Sequence, residues 1–292
     1  MAAYEKSKSV KLKSISTMTE GTIWRQILLF SIPLILGNLL QQMYNTVDSI
    51  IVGNFVGSNA LAAVGSSTSL ICLLIAFSMG ASAGAGVIVS QFYGAGDENG
   101  VQRSAHTALM LALILGIVLT IAGIVFSPAI LRWMRTPEEV MNQSVLYLRI
   151  YSYGLVFNVI YNMAAGILNA VGNSRRSLMY LAVASFSNIF LDLWLIGGMH
   201  MGVEGAAIAT VLSRYVELGI ITVWSHTHTD KVPYIKGVYR TLKIPKELTQ
   251  QIVAKGLPLI LNEALWAFGI AILNQCYSTR GLAAVAGINI SS

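Results

Sequence analysis

Apolar residues run along this chain in seven long stretches, interrupted mainly by small or polar side chains at helical spacing. The stretches cover Trp24–Val52, Leu61–Val89, Ser104–Phe126, Val145–Ala170, Ser177–Gly197, Val203–Ser225 and Gln251–Tyr277. About 20 predominantly apolar residues cross a bilayer as a helix, so the pattern predicts an all-α integral membrane fold. Most connections are short and carry Gly, Asn or Pro. The exception is His226–Gln250, which is polar and basic.

An internal repeat divides the spans. Ile32-Pro33-Leu34-Ile35-Leu36 in the first matches Leu257-Pro258-Leu259-Ile260-Leu261 in the seventh, and Ala60-Leu61-Ala62-Ala63-Val64 matches Gly281-Leu282-Ala283-Ala284-Val285. Membrane transporters are often built from such repeats. The expected organisation is a polar segment at 1–23, a six-helix N-lobe over 24–225, a linker over 226–250 and the first helix of a second lobe in 251–292. The expectation is of a chain truncated soon after its second copy begins. The seventh span should then expose Asn262, Glu263 and Asn274, because the helices that would cover them belong to the second lobe.

Composition agrees with this reading. Hydrophobic residues make up 55% of the chain and charged residues 11%, with a mean hydropathy of +0.66. A soluble domain carries about 25% charged residues. The formal charge of +6 does not indicate nucleic-acid binding, because the basic residues gather on one side of the spans. The N-terminus and even-numbered connections hold Lys6, Lys8, Lys11, Lys13, Arg25, Arg103, Arg175, Arg176, Lys231, Lys236, Arg240, Lys243, Lys246 and Lys255, fourteen in all. The opposite side holds three, Arg132, Arg135 and Arg280, while Arg149 and Arg214 lie within spans. Positive charge stays in the cytoplasm, so the reading is a multi-pass cell-membrane protein with a cytoplasmic N-terminus. Cys72 and Cys276 fall inside spans and read as small apolar fillers.

Polar side chains inside the spans carry the candidate chemistry. The first span holds Asn38, Gln41, Asn45 and Asp48 at steps of three, four and three, which places them on one helical face. The fifth holds Ser185, Asn188 and Asp192 on one face. The fourth holds Tyr147, Tyr151, Asn158, Asn162 and Asn169 largely on one stripe, and the sixth holds Thr210, Arg214 and Glu217. A carboxylate at the centre of a membrane helix costs about 2.5–3.5 kcal/mol on insertion scales, so it faces protein or water and marks function. Counting from the helix ends at about 1.5 Å per residue, Asp48, Asp192 and Thr210 all fall in the outer half of the bilayer. Two carboxylates with Asn and Thr oxygens as neutral ligands form a proton or cation site. The plainer alternative is that Asp48 and Asp192 hydrogen-bond neighbouring helices. Arg214 and Glu217, three apart, either neutralise each other or serve transport.

Other motifs carry less. The small residues from Gly80 to Gly86 suit close helix packing. Pro33 either kinks the first helix as a hinge or is an ordinary membrane proline. Gly94-Ala95-Gly96-Asp97 spells the GxGD of intramembrane aspartyl proteases, but a partner carboxylate at that depth is missing, and a glycine helix cap explains it better. His226 and His228 lack further ligands at zinc spacing. No GxxxxGK[ST] phosphate loop is present, and no catalytic set stands out, so no enzyme activity and no cofactor are expected.

The run Pro33…Tyr44-Asn45-Thr46-Val47-Asp48…Val52-Gly53…Ala60-Leu61-Ala62-Ala63-Val64 resembles the first helix of multidrug and toxic compound extrusion (MATE) transporters. Gln91-Phe92-Tyr93-Gly94-Ala95-Gly96-Asp97, Thr136-Pro137-Glu138-Glu139-Val140, Asn188…Asp192 and Gly202-Val203-Glu204-Gly205-Ala206-Ala207 extend the resemblance over essentially the whole chain from Thr19. It implies twelve helices in two six-helix lobes and a secondary antiporter that expels organic cations in exchange for protons or sodium ions. By resemblance the ion site of the N-lobe maps onto Asp48, Asn188, Asp192 and Thr210, the residues that spacing and depth also single out. Gln41, Asn45, Tyr147, Tyr151, Asn158 and Asn162 are candidates for substrate contact or cavity lining, and Glu263 for an acidic site in the second lobe. The implied partners are the lipid bilayer, a small organic substrate and the missing second lobe. A flippase for lipid-linked saccharides of the same superfamily is the nearest alternative, and a cavity lined by several Arg or Lys would favour it. A non-transporting membrane protein is the other.

Overall fold

Six of the apolar runs become helices long enough to cross a bilayer, and the fourth, Val145–Ala170, lies on two shorter helices that meet at Gly154. The computed structural model describes residues 22–134, 136, 138–228 and 245–278. The helices are α1 (Ile23–Phe55), α2 (Ser58–Gly94), α3 (Glu98–Trp133), α4 (Glu138–Tyr153), α5 (Leu155–Ala170), α6 (Ser174–Asp192), α7 (Val203–Thr227) and α8 (Lys246–Ser278), with a π-helical turn at Leu193–Gly198 after α6. No strand occurs among the described residues. At 1.5 Å per residue the 36 residues of α3 extend for about 54 Å, well past the hydrocarbon core. Helices α4 and α5 form one rod with a tight turn at Gly154, whose N–H donates to the Tyr151 carbonyl at 2.9 Å. A Cβ at Gly154 would meet Val211 of α7, so glycine lets the rod lie close to that helix.

Small side chains are a large part of the core of the bundle, beside buried large ones such as Leu131, Leu155 and Tyr180. Ala85, Ala105, Ala108, Ala112, Ala206, Ala207 and Ala209 are buried almost completely, which lets helix backbones approach closely. Other large aliphatic residues face outward: Ile114, Ile117, Val118, Ile121 and Val125 of α3 are all exposed. That inversion is expected where the surroundings are lipid. Helix α1 packs on α6, where Gly37 lies over Leu178 and Leu181 and the Ser174 hydroxyl donates to the Phe30 carbonyl. The helix continues through Pro33, which is buried against the bundle.

Helix ends follow local rules. Gly96 adopts φ +71°, the left-handed conformation that glycine tolerates, and Asp97 then caps α3 by accepting from the Gly100 N–H at 2.9 Å. The aspartate of the GxGD motif therefore serves as a helix cap at the end of the bundle.

Helix α8 departs from expectation. It is not left without company by the first six spans, but lies along α2 over much of its length. A Cβ on Gly80 or Gly84 would collide with the backbone of Ile260 or Gly256 respectively, so the small-residue segment of α2 is the seat of α8. Glu263 is half-buried on the same stripe of α8 as Gly256 and Ala267. Asn262 is exposed as anticipated, and the side chain of Asn274 lies outside the described residues. The linker is shorter than read from the sequence, since α7 runs on to Thr227 and α8 starts at Lys246. The expected polar segment before Gly21, residues 229–244 and the repeat copy at Gly281–Val285 lie outside the described residues.

Candidate functional site

Helix α1 turns one stripe inward: Pro33, Gly37, Tyr44, Ile51 and Val52 are buried, with Asp48 half-buried in the same series. At about 100° per residue these positions fall within one stripe of the helix, so Asp48 is carried into the bundle by the packed face of its helix. The polar face read from sequence straddles this boundary. Gln41 is half-buried, whereas Asn38 and Asn45 are exposed, and the Asn45 amide donates to Gln42 at 3.4 Å.

Asp192 is the last α-helical residue of α6 and has no exposed surface. Beyond it the chain widens into the π turn, where the Met199 N–H reaches the Trp194 carbonyl at 2.9 Å. Single π turns recur at functional sites. Asn188, one turn before Asp192, is also buried. The carboxyl groups of Asp48 and Asp192 are neighbours across the α1–α6 contact. Both oxygens of Asp192, Oδ1 of Asp48 and both amide atoms of Asn188 are buried without a hydrogen-bond partner. A buried polar atom left unmet costs about 1–3 kcal/mol, which sets this cluster apart from the rest of the core.

Tyr147 of α4 completes this cluster. It is buried, faces both carboxyl groups, and stacks on Tyr151 with ring centroids 6.5 Å apart. Thr210 lies on the buried face of α7 and its hydroxyl donates to the Ala206 carbonyl at 3.0 Å. That bond uses the hydroxyl hydrogen and leaves oxygen lone pairs free. Two carboxyl groups and an amide oxygen are all hard oxygen donors, a set that suits a proton or a hard cation. Among the described residues no group of three or more His, Cys, Asp or Glu side chains gathers as a metal site.

A second buried cluster adjoins the first. Arg214 and Glu217 of α7 form an ion pair at 2.7 Å, with Glu217 fully buried. The other guanidinium nitrogen of Arg214 donates to the Tyr44 hydroxyl of α1, and Tyr161 of α5 lies beside Glu217. Sequence spacing identifies the ion pair but not its tie to α1. The only available signal is that Tyr44 lies four residues before Asp48, on the same face.

The remaining candidates disperse. Asn162 donates to Asn158 at 2.7 Å, and Asn169 accepts from Ser177 at 3.0 Å, so these amides serve contacts within the bundle. Asn162 and Asn169 also line a groove of about 460 Å³ with Phe30, Ser82 and Ser90. That groove lies toward the end of the bundle opposite Asp48 and Asp192. Glu263 sits on α8 against α2, apart from the helices that carry the carboxyl pair.

Comparison with known proteins places this arrangement in a family of membrane transporters. Residues 33–194 match the MatE family model. The chain is 34% identical over 278 residues to the probable multidrug resistance protein YoeA of Bacillus subtilis, covering 93% of this chain and 60% of that protein. It is 30% identical to YpnP of the same organism, another probable multidrug resistance protein, covering 84% of this chain and 57% of the relative. Among solved structures it superposes on an outward-facing multidrug resistance MATE family transporter of the MOP superfamily. The TM-score is 0.81 at 29% identity, covering 91% of this chain and 58% of the other. The chain belongs to the MATE family of multidrug transporters. It spans about 60% of the length of the curated relatives it matches.

Proposed function

We propose that this chain carries the ion-coupling site of a secondary antiporter that exports organic, cationic compounds in exchange for protons or sodium ions. The observation that carries the reading is the buried pair Asp48 and Asp192, with Asn188 one turn away and five polar atoms left unpaired. Two carboxylates side by side in an apolar surround repel each other, and a shared proton or a monovalent cation relieves that repulsion. Asn188 and Thr210 supply neutral oxygens to whichever ion binds, and Tyr147 closes the site against water.

Coupling follows from where the carboxyl groups are mounted. Asp48 is on α1 and Asp192 is at the end of α6, so an ion between them draws the two helices together. Releasing the ion loosens that contact. An ion that binds one arrangement of α1 better than the other shifts the equilibrium between them, which is the minimum that alternating access requires. The substrate path lies between two lobes, so the exposed polar edge of α1, with Asn38 and Asn45, faces it. The N-terminus is cytoplasmic on the basic-residue bias, and the protein resides in the plasma membrane.

The flippase alternative needs several cationic side chains in one cavity. Arg214 is instead neutralised by Glu217 inside the bundle, and Arg149 shares only a pocket on the outside of the bundle with Arg132, which weighs against that reading. The experiment is dye efflux from proteoliposomes containing the transporter, with the pH and sodium gradients imposed separately. Efflux driven by one of the two gradients supports antiport. Movement of lipid-linked saccharide without gradient dependence would replace it with the flippase.

A further inference from the structure

Where α3 runs into α4, a cavity of about 390 Å³ opens between the last turns of α3 and the first three turns of α4. Arg132 from α3 and Arg149 from α4 both line it, with Asn142, Pro128, Met141 and Val145. No carboxylate lines it, and Glu138 and Glu139, in the first turn of α4, stay outside the lining. Neither arginine forms an ion pair or hydrogen bond with a described residue.

The geometry of the two helices makes these arginines converge. Helical side chains lean toward the N-terminus of their own helix. Helix α4 starts at the rim of the bundle, so Arg149 leans outward to the rim from within the span. Helix α3 ends there, so Arg132 leans back toward the membrane. An arginine in a membrane span keeps its stem in the apolar layer and its head at the interface. By the span pattern of the sequence, this side carries three basic residues against fourteen on the other. Two convergent guanidinium groups there, without a partner among the described residues, run against the general charge bias of the chain.

We propose that this pocket binds the phosphate of an anionic phospholipid at the bilayer rim, with Arg132 and Arg149 as its paired donors. Guanidinium forks match phosphate oxygens bidentately, and basic pockets between membrane helices accept lipid headgroups. Exposed Ile121, Val125 and Phe126 on α3 and Leu146 on α4 give the acyl chains an apolar wall to lie against.

The test is native mass spectrometry of the full chain in detergent, offered phosphatidylglycerol and phosphatidylcholine in equal amounts. Phosphatidylglycerol should be retained preferentially. The double variant Arg132→Gln/Arg149→Gln should lose about tenfold or more of that preference. Both side chains are on the outside of the bundle, so the variant should keep its helical circular dichroism. Equal retention of the two lipids by the unaltered chain, or an unchanged preference in the double variant, would overturn the proposal. Displacement of phosphatidylglycerol by millimolar inorganic phosphate would overturn the lipid assignment in favour of a soluble anion.

Discussion

Arg214 on α7 donates a hydrogen bond to the hydroxyl of Tyr44 on α1, and Tyr44 stands one helical turn before Asp48. The buried ion pair of Arg214 and Glu217 is thereby tied to the helix that carries half of the proposed ion site. Helix α1 cannot shift its C-terminal half relative to α7 without breaking this bond or moving the ion pair with it.

Stability should depend on this network in a specific order. Removing one partner of a buried pair strands the other charge, at a cost of about 3–5 kcal/mol, while replacing both with apolar residues is often neutral. Arg214→Met should therefore lower the melting temperature far more than the double variant Arg214→Met/Glu217→Leu. Tyr44→Phe should cost about 1–3 kcal/mol by leaving a guanidinium donor unpaired. Thermal unfolding in detergent checks all three. A double variant less stable than Arg214→Met would show that the ion pair itself stabilises the bundle.

Asp192→Asn should separate folding from coupling. The substitution removes one of two neighbouring buried carboxyl groups and keeps the shape, so the melting temperature should hold or rise. Gradient-driven efflux by the transporter should be abolished. Normal gradient-driven transport by the variant would remove Asp192 from the coupling role.

The contact between α2 and α8 should be intolerant of side chains. A Cβ at Gly84 meets the backbone of Gly256, which cannot retreat as a flexible side chain can. Gly84→Val should destabilise the chain by about 1–3 kcal/mol, as overpacking does, read as a lower melting temperature in detergent. Gly65, with open space around it, is the control position. Equal effects of valine at the two sites would contradict the close approach.

Orientation is open to a direct test at Lys246, exposed at the start of α8. A Lys246→Cys variant lacking Cys72 and Cys276 should resist an impermeant thiol reagent added to intact cells and react once the membrane is opened. Labelling in intact cells would place this end outside.

Much of this organisation is legible in the sequence because lipid simplifies the problem. Every backbone polar group must be satisfied internally, so apolar length alone locates six long helices, while the break at Gly154 that divides the fourth run escapes it. Carboxylates are so costly there that Asp48 and Asp192 stand out singly. What stayed hidden depends on tertiary contact. The face holding Asn38, Gln41, Asn45 and Asp48 covers about 80° of the helix, and periodicity cannot say where the bundle's edge cuts it. The π turn after Asp192 breaks no hydrophobic pattern. The docking of α8 on Gly80 and Gly84 requires knowing that two glycine surfaces meet. The bond from Arg214 to Tyr44 joins residues 170 apart in the chain. Helix ends were read short because α3 and α4 continue as helices beyond the apolar layer, where charged residues no longer count against them.

The central claim is that Asp48 and Asp192 together bind the coupling ion. Infrared difference spectroscopy of the full chain in lipid nanodiscs tests it most directly, recording carboxyl bands as pH is stepped or sodium is added. The account predicts an ion-induced carboxyl band in the unaltered chain that is altered by Asp48→Asn, altered by Asp192→Asn and absent when both are replaced. An identical band in the double variant would contradict it.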